Sequence, residues 1–143
     1  MHLDVVELRS FYYTTQLGRM AQRMVRARLR EMWPDIHGMN LVGFGFAAPF
    51  LRPFMEETAR TLCLMPAQQG VFPWPPEGPN VTALVEETLW PLPTGFADRL
   101  IIAHGLESCE RPAALFEEIW RVLEGLRPRP KPATGRSAAR DRL

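Results

Sequence analysis

Apolar side chains recur with helical spacing near the start of the chain, over residues 4–32. One helix face carries an apolar stripe, which Ala21 and Val25 widen and which follows three-to-four spacing through Leu17, Met20, Met24, Leu29 and Met32. The opposite face carries a stripe of arginines, namely Arg19, Arg23, Arg26 and Arg30. The pattern predicts an amphipathic helix that a break near Thr14-Thr15 could divide, with its apolar face covering a sheet. The arginine stripe is then expected to face solvent, with a contact to an anionic substrate or a membrane surface as the alternative.

Four short apolar runs follow, each bounded by turn-forming residues. They are Met39–Val42, Thr61–Met65, Val81–Val85 and Leu100–Ala103. Runs of this length without polar alternation are typical of buried parallel strands. Helical patterns occupy Phe50–Arg60 and the segment from Pro112 to Leu123, whereas five prolines and two glycines make residues 66–80 an irregular loop. The order of these elements predicts an α/β fold with right-handed crossovers.

The composition indicates one soluble globular domain. The chain has 143 residues, of which 46% are hydrophobic and 23% charged. No apolar run approaches the roughly 18 residues that a membrane helix needs, and the first residues do not read as a secretory signal. A cytoplasmic protein is therefore expected.

The cysteines and histidines give no sign of a metal site. Cys63 and Cys109 are far apart in sequence and are interpreted as reduced thiols. The three histidines are scattered, so no metal site is predicted.

The small net charge of +1 hides a difference between the two ends of the chain. Residues 126–143 hold six of the 17 basic residues and one of the 16 acids, so this tail is +5 and the remainder is −4. The mildly acidic body argues against nucleic-acid binding. The tail, rich in proline and arginine, lacks apolar periodicity and is predicted to be disordered. A domain is thus expected over 1–125, with a helix at 4–32 and a ligand-binding half at 39–125.

The stretch that follows the first predicted strand is rich in glycine and other small residues. Gly43 and Gly45 allow a sharp turn and a close backbone approach to a ligand, and Ala47 lets the next helix pack near the strand end. A helix that starts at such a turn is a common place for nucleotide-like ligands in parallel sheets. An ordinary tight turn between a strand and a helix is the alternative.

Four landmarks occur in order: Gly43-Phe44-Gly45, a second apolar strand, Glu86 ahead of Trp90-Pro91-Leu92-Pro93, and Phe96-Ala97-Asp98 opening another strand. Over residues 8–125 this order resembles class I S-adenosylmethionine-dependent methyltransferases, of the broad group that methylates small molecules and lipid quinones (type 11-like). The resemblance implies a Rossmann-like three-layer α/β/α sheet, S-adenosylmethionine as cofactor and a small-molecule methyl acceptor.

The resemblance also implies a set of site residues. The cofactor-binding positions are Gly43, Gly45, Ala47, Gln68, Glu86, Glu87 and Leu89. Glu86 falls on the acid that accepts a hydrogen bond from the adenine amino group, and Gln68 or Gln69 stands where the family has a ribose-binding acid. His104, at the tip of the fourth strand, is the candidate catalytic base, with a histidine that caps the strand as the alternative. Glu107 is a second candidate base, while Tyr12 and Tyr13 would line an acceptor pocket or pack in the core.

The chain departs from the family pattern in three places. Leu41 replaces the usual acid before the first glycine, and residues 65–69 contain no carboxylate. The family sheet normally has seven strands, whereas four are predicted here before the basic tail. The sequence therefore predicts a methyltransferase that is truncated or frame-shifted after the fourth strand, with an open sheet edge that favours a homo-oligomer.

Two other classes of function remain as alternatives. One is a non-catalytic module that binds a partner through the open edge of the fourth strand. The other is a dehydrogenase-type nucleotide domain, which Ala48 in place of a third glycine and the missing ribose acid disfavour.

Overall fold

The computed structural model of the chain describes residues 4–107 and 109–123. The tail predicted to be disordered, residues 126–143, lies outside them. The elements are α1 (Val5–Thr14), α2 (Gln16–Met32), β1 (Asn40–Gly45), α3 (Ala48–Leu51, continued by a 3₁₀ turn at Arg52–Phe54), β2 (Arg60–Pro66), β3 (Thr82–Val85), β4 (Arg99–Ala103) and α4 (Pro112–Val122).

The four strands form one parallel sheet in the order β3-β2-β1-β4. In the register of the central strand β1, Val42 lies opposite Leu62 of β2 and Leu100 of β4. The predicted α/β class and all four strands are confirmed. The direction of strand addition reverses between β1 and β4, an order compatible with a Rossmann-like topology.

Each face of the sheet has its own hydrophobic core. On one face Leu41, Cys63 and Ile101 pack with side chains of α1, α3 and the loop after β2. On the other face Val42 and Phe44 pack with Trp90 and with α4. Successive residues of β1 point to opposite faces, so its apolar run without alternation supplies both cores. The result is three layers, with helices on both sides of the sheet.

The predicted break in the N-terminal helix is confirmed, and it falls at Thr15. The Thr15 hydroxyl accepts a hydrogen bond from the amide of Gly18 (2.9 Å) and so caps α2. Asp4 caps α1 in the same way, accepting from the amide of Glu7 (2.9 Å).

The predicted orientation of α2 is only partly correct, because Ala21 and Leu29 of the apolar stripe pack against the core and most of the stripe does not. Leu17 and Met24 of the apolar stripe are 66% and 65% exposed, whereas two arginines of the opposite stripe face the protein. Arg26 Nε donates to the carbonyl of Pro49 (2.7 Å), and Arg30 donates to the carbonyl of Pro53 (3.1 Å). Two prolines interrupt backbone hydrogen bonding around α3, so carbonyls there are open to guanidinium donors. The inward face of α2 therefore combines these polar contacts with the packing of Ala21 and Leu29.

Two predicted boundaries also need correction. The strand predicted to end at Val42 continues to Gly45, so Gly43 lies inside β1 and not in a turn. The helix predicted over 50–60 is the short α3 with its 3₁₀ turn, because Pro53 cannot donate a backbone hydrogen bond and disfavours helical geometry in the residue before it. The irregular loop after β2 is confirmed, since residues 67–81 contain neither helix nor strand. None of the helices in the described ranges is long and apolar enough to cross a membrane.

Candidate functional site

The carboxyl ends of all four strands lie along one edge of the sheet, because the strands are parallel. β1 ends at Gly45 and β4 at Ala103, and these two strands are neighbours. Ligands of open α/β sheets bind outside the carboxyl ends of the strands, where the strand order reverses. In this chain that place lies between the tips of β1 and β4, and His104 immediately follows β4.

The ends of β1 and β4 approach each other closely at Gly45. Its φ of 87° is one that residues with a side chain rarely adopt, and a Cβ added there would overlap the carbonyl oxygen of Ala103. The next amide, that of Phe46, donates to the same oxygen (2.7 Å). Gly45 is thus required by the close approach of the chain to itself.

Gly43 has a different packing role. A Cβ at this position would lie 2.8 Å from Ala47 Cβ and 2.9 Å from Leu51 Cδ1. The absence of a side chain therefore lets α3 pack directly on β1, and Ala47 is fully buried in that contact. The cofactor-binding role predicted for the two glycines and Ala47 stays a prediction beside these packing roles.

His104 is held between an acid and a phenol. Its Nε2 lies 2.7 Å from the hydroxyl oxygen of Tyr12, and its Nδ1 lies 3.2 Å from Oε2 of Glu107. Burial raises the pKa of the Tyr12 hydroxyl, and the charge of Glu107 adds to this effect. The direction of the hydrogen bond between this hydroxyl and Nε2 follows from the imidazole tautomer, and Glu107 accepts from Nδ1 in the tautomer that carries the proton there. The three groups form a carboxylate–imidazole–phenol chain that can hold and pass a proton.

The backbone of His104 is also constrained. Its φ is 57°, in the left-handed region, where residues other than glycine are uncommon. The amide nitrogen of the Gln69 side chain donates to the carbonyl of His104 (2.7 Å). Strained conformations of this kind persist where the surroundings over-determine them, and they cluster at functional sites. The observation supports His104 as a site residue, although a structural cap of β4 would use the same carbonyl contact.

The hydrogen bond between Tyr12 and His104 can be tested with two neighbouring tyrosines. Tyr12→Phe is expected to lower the free energy of unfolding by about 1 kcal/mol, because it removes the hydrogen bond between the hydroxyl and a part-buried Nε2. Tyr13→Phe is the matched control, since no hydrogen bond of the Tyr13 hydroxyl is found within the described residues and its side chain is more exposed (39% against 8%). Urea denaturation measures both values. Equal stabilities of the two variants would contradict the bond.

Of the predicted site residues that follow β2 and β3, most are exposed and one already accepts a hydrogen bond. Gln68 and Glu86 are exposed, and Leu89 is 67% exposed. The Leu89 amide donates to the carbonyl of Glu86 (3.2 Å) and closes a turn there. Glu87 is already engaged, because its Oε1 accepts from the amide of Glu110 (3.1 Å). Glu86, Glu87 and Leu89 follow β3, which β2 separates from β1. They therefore lie about 10 Å along the edge from Gly45 on β1 and about 14 Å from His104 after β4.

The sequence indicated only part of the group around His104. Gln69 was considered beside Gln68 as a ribose-binding side chain, but it is buried and supports His104. Glu107 was a secondary candidate base, and Tyr12 was expected to line a pocket or pack in the core. The amphipathic pattern of α1 gives no sign that Tyr12 meets a histidine 92 positions away.

The two cysteines are not activated nucleophiles. Burial raises the pKa of the Cys63 thiol to about 12, and burial also raises the pKa of Cys109. Thiolates are the reactive form, so neither side chain is suited to nucleophilic attack at neutral pH.

Asp35, His37 and Glu57 form a group in which three potential metal-ligand atoms lie within 4.8 Å of one another. Glu57 Oε2 already accepts from Arg30 (3.1 Å) and from the amide of Ile36 (3.0 Å), and these contacts lower the pKa of Glu57. The group lies at the amino ends of β1 and β2, away from His104. Its contacts stabilise the turn before β1, and the expectation of no metal site stays a prediction.

Comparison of the chain with protein-family models and with curated proteins finds no match.

Proposed function

We propose that the chain is a class I S-adenosylmethionine-dependent methyltransferase acting on a small-molecule acceptor. The observation that carries the proposal is the pairing of β1 with β4 at the point where strand order reverses, which puts Gly45 beside His104. The order of motifs in the sequence supports the same assignment. Because other nucleotide-binding folds share this topology, the side chains at the same edge are the second line of support.

The exposed residues of this edge have donor and acceptor groups suited to the cofactor. The Glu86 carboxylate has no hydrogen-bond partner in the described residues and would accept from the adenine amino group. The Gln68 amide is exposed after β2 and would bond the ribose hydroxyls, more weakly than a carboxylate. The carboxylate of Glu107 adds negative charge near the tip of β4, which suits a cationic sulfonium. When bound, the cofactor supplies a methyl group activated by that sulfonium.

The residues around His104 would manage the proton of an acceptor hydroxyl. In the tautomer with the proton on Nδ1, Glu107 would accept from that nitrogen and Nε2 would take up the acceptor proton. The Tyr12 hydroxyl occupies Nε2, and an acceptor proton would reach His104 through this hydroxyl. The Gln69 contact to the His104 carbonyl orients the residue. Alignment and proton removal are the contributions of the protein to such a transfer.

Calorimetric titration with S-adenosylhomocysteine tests the proposal. The full chain is expected to bind at micromolar strength, and Glu86→Gln is expected to weaken binding about ten-fold, because a hydrogen bond to a charged group is lost. Glu56→Gln is the control, since Glu56 is an exposed acid between α3 and β2, away from the carboxyl edge. Absence of binding at millimolar ligand would overturn the proposal.

A second candidate function rests on β4. This strand pairs only with β1 in the described part of the chain, and a cavity of about 440 Å³ beside it is lined by Val25, Met32, Leu100 and Ile102. An open strand edge with apolar side chains favours pairing with another chain, such as a second copy. A protein that does not bind S-adenosylhomocysteine but sediments as a dimer would favour this interaction module over the enzyme.

A further inference from the structure

A separate cavity of about 460 Å³ lies between the two N-terminal helices and the loop after β2. Its polar lining comes from Arg9 and Tyr13 of α1, from Gln22 and Arg26 of α2, and from Arg52. None of these residues belongs to the predicted cofactor site. The volume lies in the range of cavities that bind small organic molecules.

The cavity carries an excess of positive charge. Three of its lining side chains are guanidinium groups, and one acid balances them, because Arg52 makes two hydrogen bonds to Glu77 (2.6 and 2.9 Å). No ion pair of Arg9 or Arg26 with a carboxylate is found among residues 4–107 and 109–123. Two positive charges thus remain uncompensated at one cavity.

Arg26 is the most informative of the three arginines. It is half-buried, and its Nε donates to the carbonyl of Pro49 (2.7 Å). Its two terminal nitrogens have no hydrogen-bond partner in the part of the chain that the structure describes. Burial, together with the charge of Arg52, lowers the pKa of Arg26. An arginine nevertheless stays protonated, so an anion in the cavity would stabilise this partly desolvated charge.

Aromatic rings hold the other two guanidinium groups in place. Arg9 lies over the ring of Phe72 (4.6 Å to the centroid), and Arg52 lies near the ring of Trp74 (5.6 Å). The Tyr13 hydroxyl is close enough to all three arginines that each of them lowers its pKa, although burial raises it more strongly. The donors are therefore positioned before any ligand arrives, which lowers the entropy cost of binding.

We propose that this cavity binds a doubly negative oxyanion carried by a small organic molecule. Arg9 and Arg26 contribute the free charge, and the planar forks of the arginines match the oxygens of a phosphate monoester or of a dicarboxylate. The Tyr13 hydroxyl is a further donor. The proposal does not depend on methyltransferase activity, because no predicted cofactor residue lines the cavity.

Calorimetry on the full chain at low salt tests the site with three probes: inorganic phosphate, phenyl phosphate and succinate. We expect saturable binding of at least one probe, and Arg9→Gln should weaken it about ten-fold through loss of a charge-assisted hydrogen bond. Arg26→Lys keeps the charge but loses the planar fork, and a similar weakening is expected. Arg23→Gln, on an exposed part of α2 outside the cavity, is the control and should leave affinity unchanged.

The comparison of probes identifies the ligand class. Tighter binding of phenyl phosphate assigns a phosphate monoester, and tighter binding of succinate assigns a dicarboxylate. The proposal is overturned if no probe saturates at millimolar concentration, or if Arg9→Gln and Arg23→Gln weaken binding equally. Thermal melts of each variant exclude unfolding as the cause. Arg9→Gln should leave S-adenosylhomocysteine binding unchanged, so failure of one proposal is distinguishable from failure of the other.

Discussion

Replacement of Gly45 by alanine is expected to lower the free energy of unfolding by about 3 kcal/mol. The backbone at Gly45 has a φ of 87°, and placing a Cβ in this region costs about 1–2 kcal/mol. The new Cβ would also overlap the carbonyl oxygen of Ala103, which accepts the Phe46 amide (2.7 Å). Moving that carbonyl away weakens a hydrogen bond worth about 1 kcal/mol and separates the tips of β1 and β4.

Gly38→Ala separates the two causes of this loss. Gly38 has a similar φ of 76°, but an added Cβ there meets no atom within 4 Å. It should therefore cost only about 1 kcal/mol, the backbone contribution. Urea denaturation of both variants gives the difference. Equal losses would show that the contact between Gly45 and Ala103 does not constrain the sheet.

The structural role of Gly45 makes substitutions there a poor test of cofactor binding. A bulky residue at Gly45 would damage the sheet itself, so loss of binding in that variant would not identify a cofactor contact. Glu86 is a sharper position, because its side chain is exposed and has no hydrogen-bond partner within the described residues.

The strands were predictable because each is a short apolar run, and burial on both faces of a parallel sheet requires such runs. The inward face of α2 was not predictable from periodicity. Its methionines suggested a buried stripe, but Arg26 and Arg30 turn inward and donate to the carbonyls of Pro49 and Pro53. The pattern of apolar residues within α2 does not show that carbonyls of a distant segment will accept hydrogen bonds from its arginines.

In the candidate site, too, local sequence predicts the position of a residue but not its distant partner. The position of His104 at a strand tip follows from the apolar run before it, whereas its partner Tyr12 is 92 residues away. Consecutive residues of α1 contact two different places, because Tyr12 bonds His104 while Tyr13 lines the arginine cavity. The first amide of α1 donates to the carbonyl of Gln69 (2.8 Å), which fixes this helix on the loop after β2. Helix α1 thus connects the sheet edge to the cavity.

Replacement of Glu118 by alanine is expected to lower the free energy of unfolding by about 3 kcal/mol. Glu118 is a buried acid of α4 that accepts from the amide of Trp90 (2.6 Å) and from Arg121 through both carboxylate oxygens (2.9 and 2.8 Å). Its loss leaves the Trp90 amide and the guanidinium without this partner. Breaking a buried pair costs about 3–5 kcal/mol, and the low end applies because Arg121 is one-third exposed.

The pH dependence of this loss identifies the carboxylate as its source. Arg121 lowers the pKa of Glu118 below its ordinary value, which is about 4.3. The stabilisation is therefore complete at neutral pH and is lost as the pH falls through the lowered pKa. Urea denaturation should show a large difference between wild type and Glu118→Ala at pH 7 that shrinks in acid. Glu117→Ala, at the exposed neighbouring position of α4, should change stability little at either pH. A difference for Glu118→Ala that stays constant with pH would assign the loss to packing, and would mean that the carboxylate does not anchor the segment between β3 and β4 to α4.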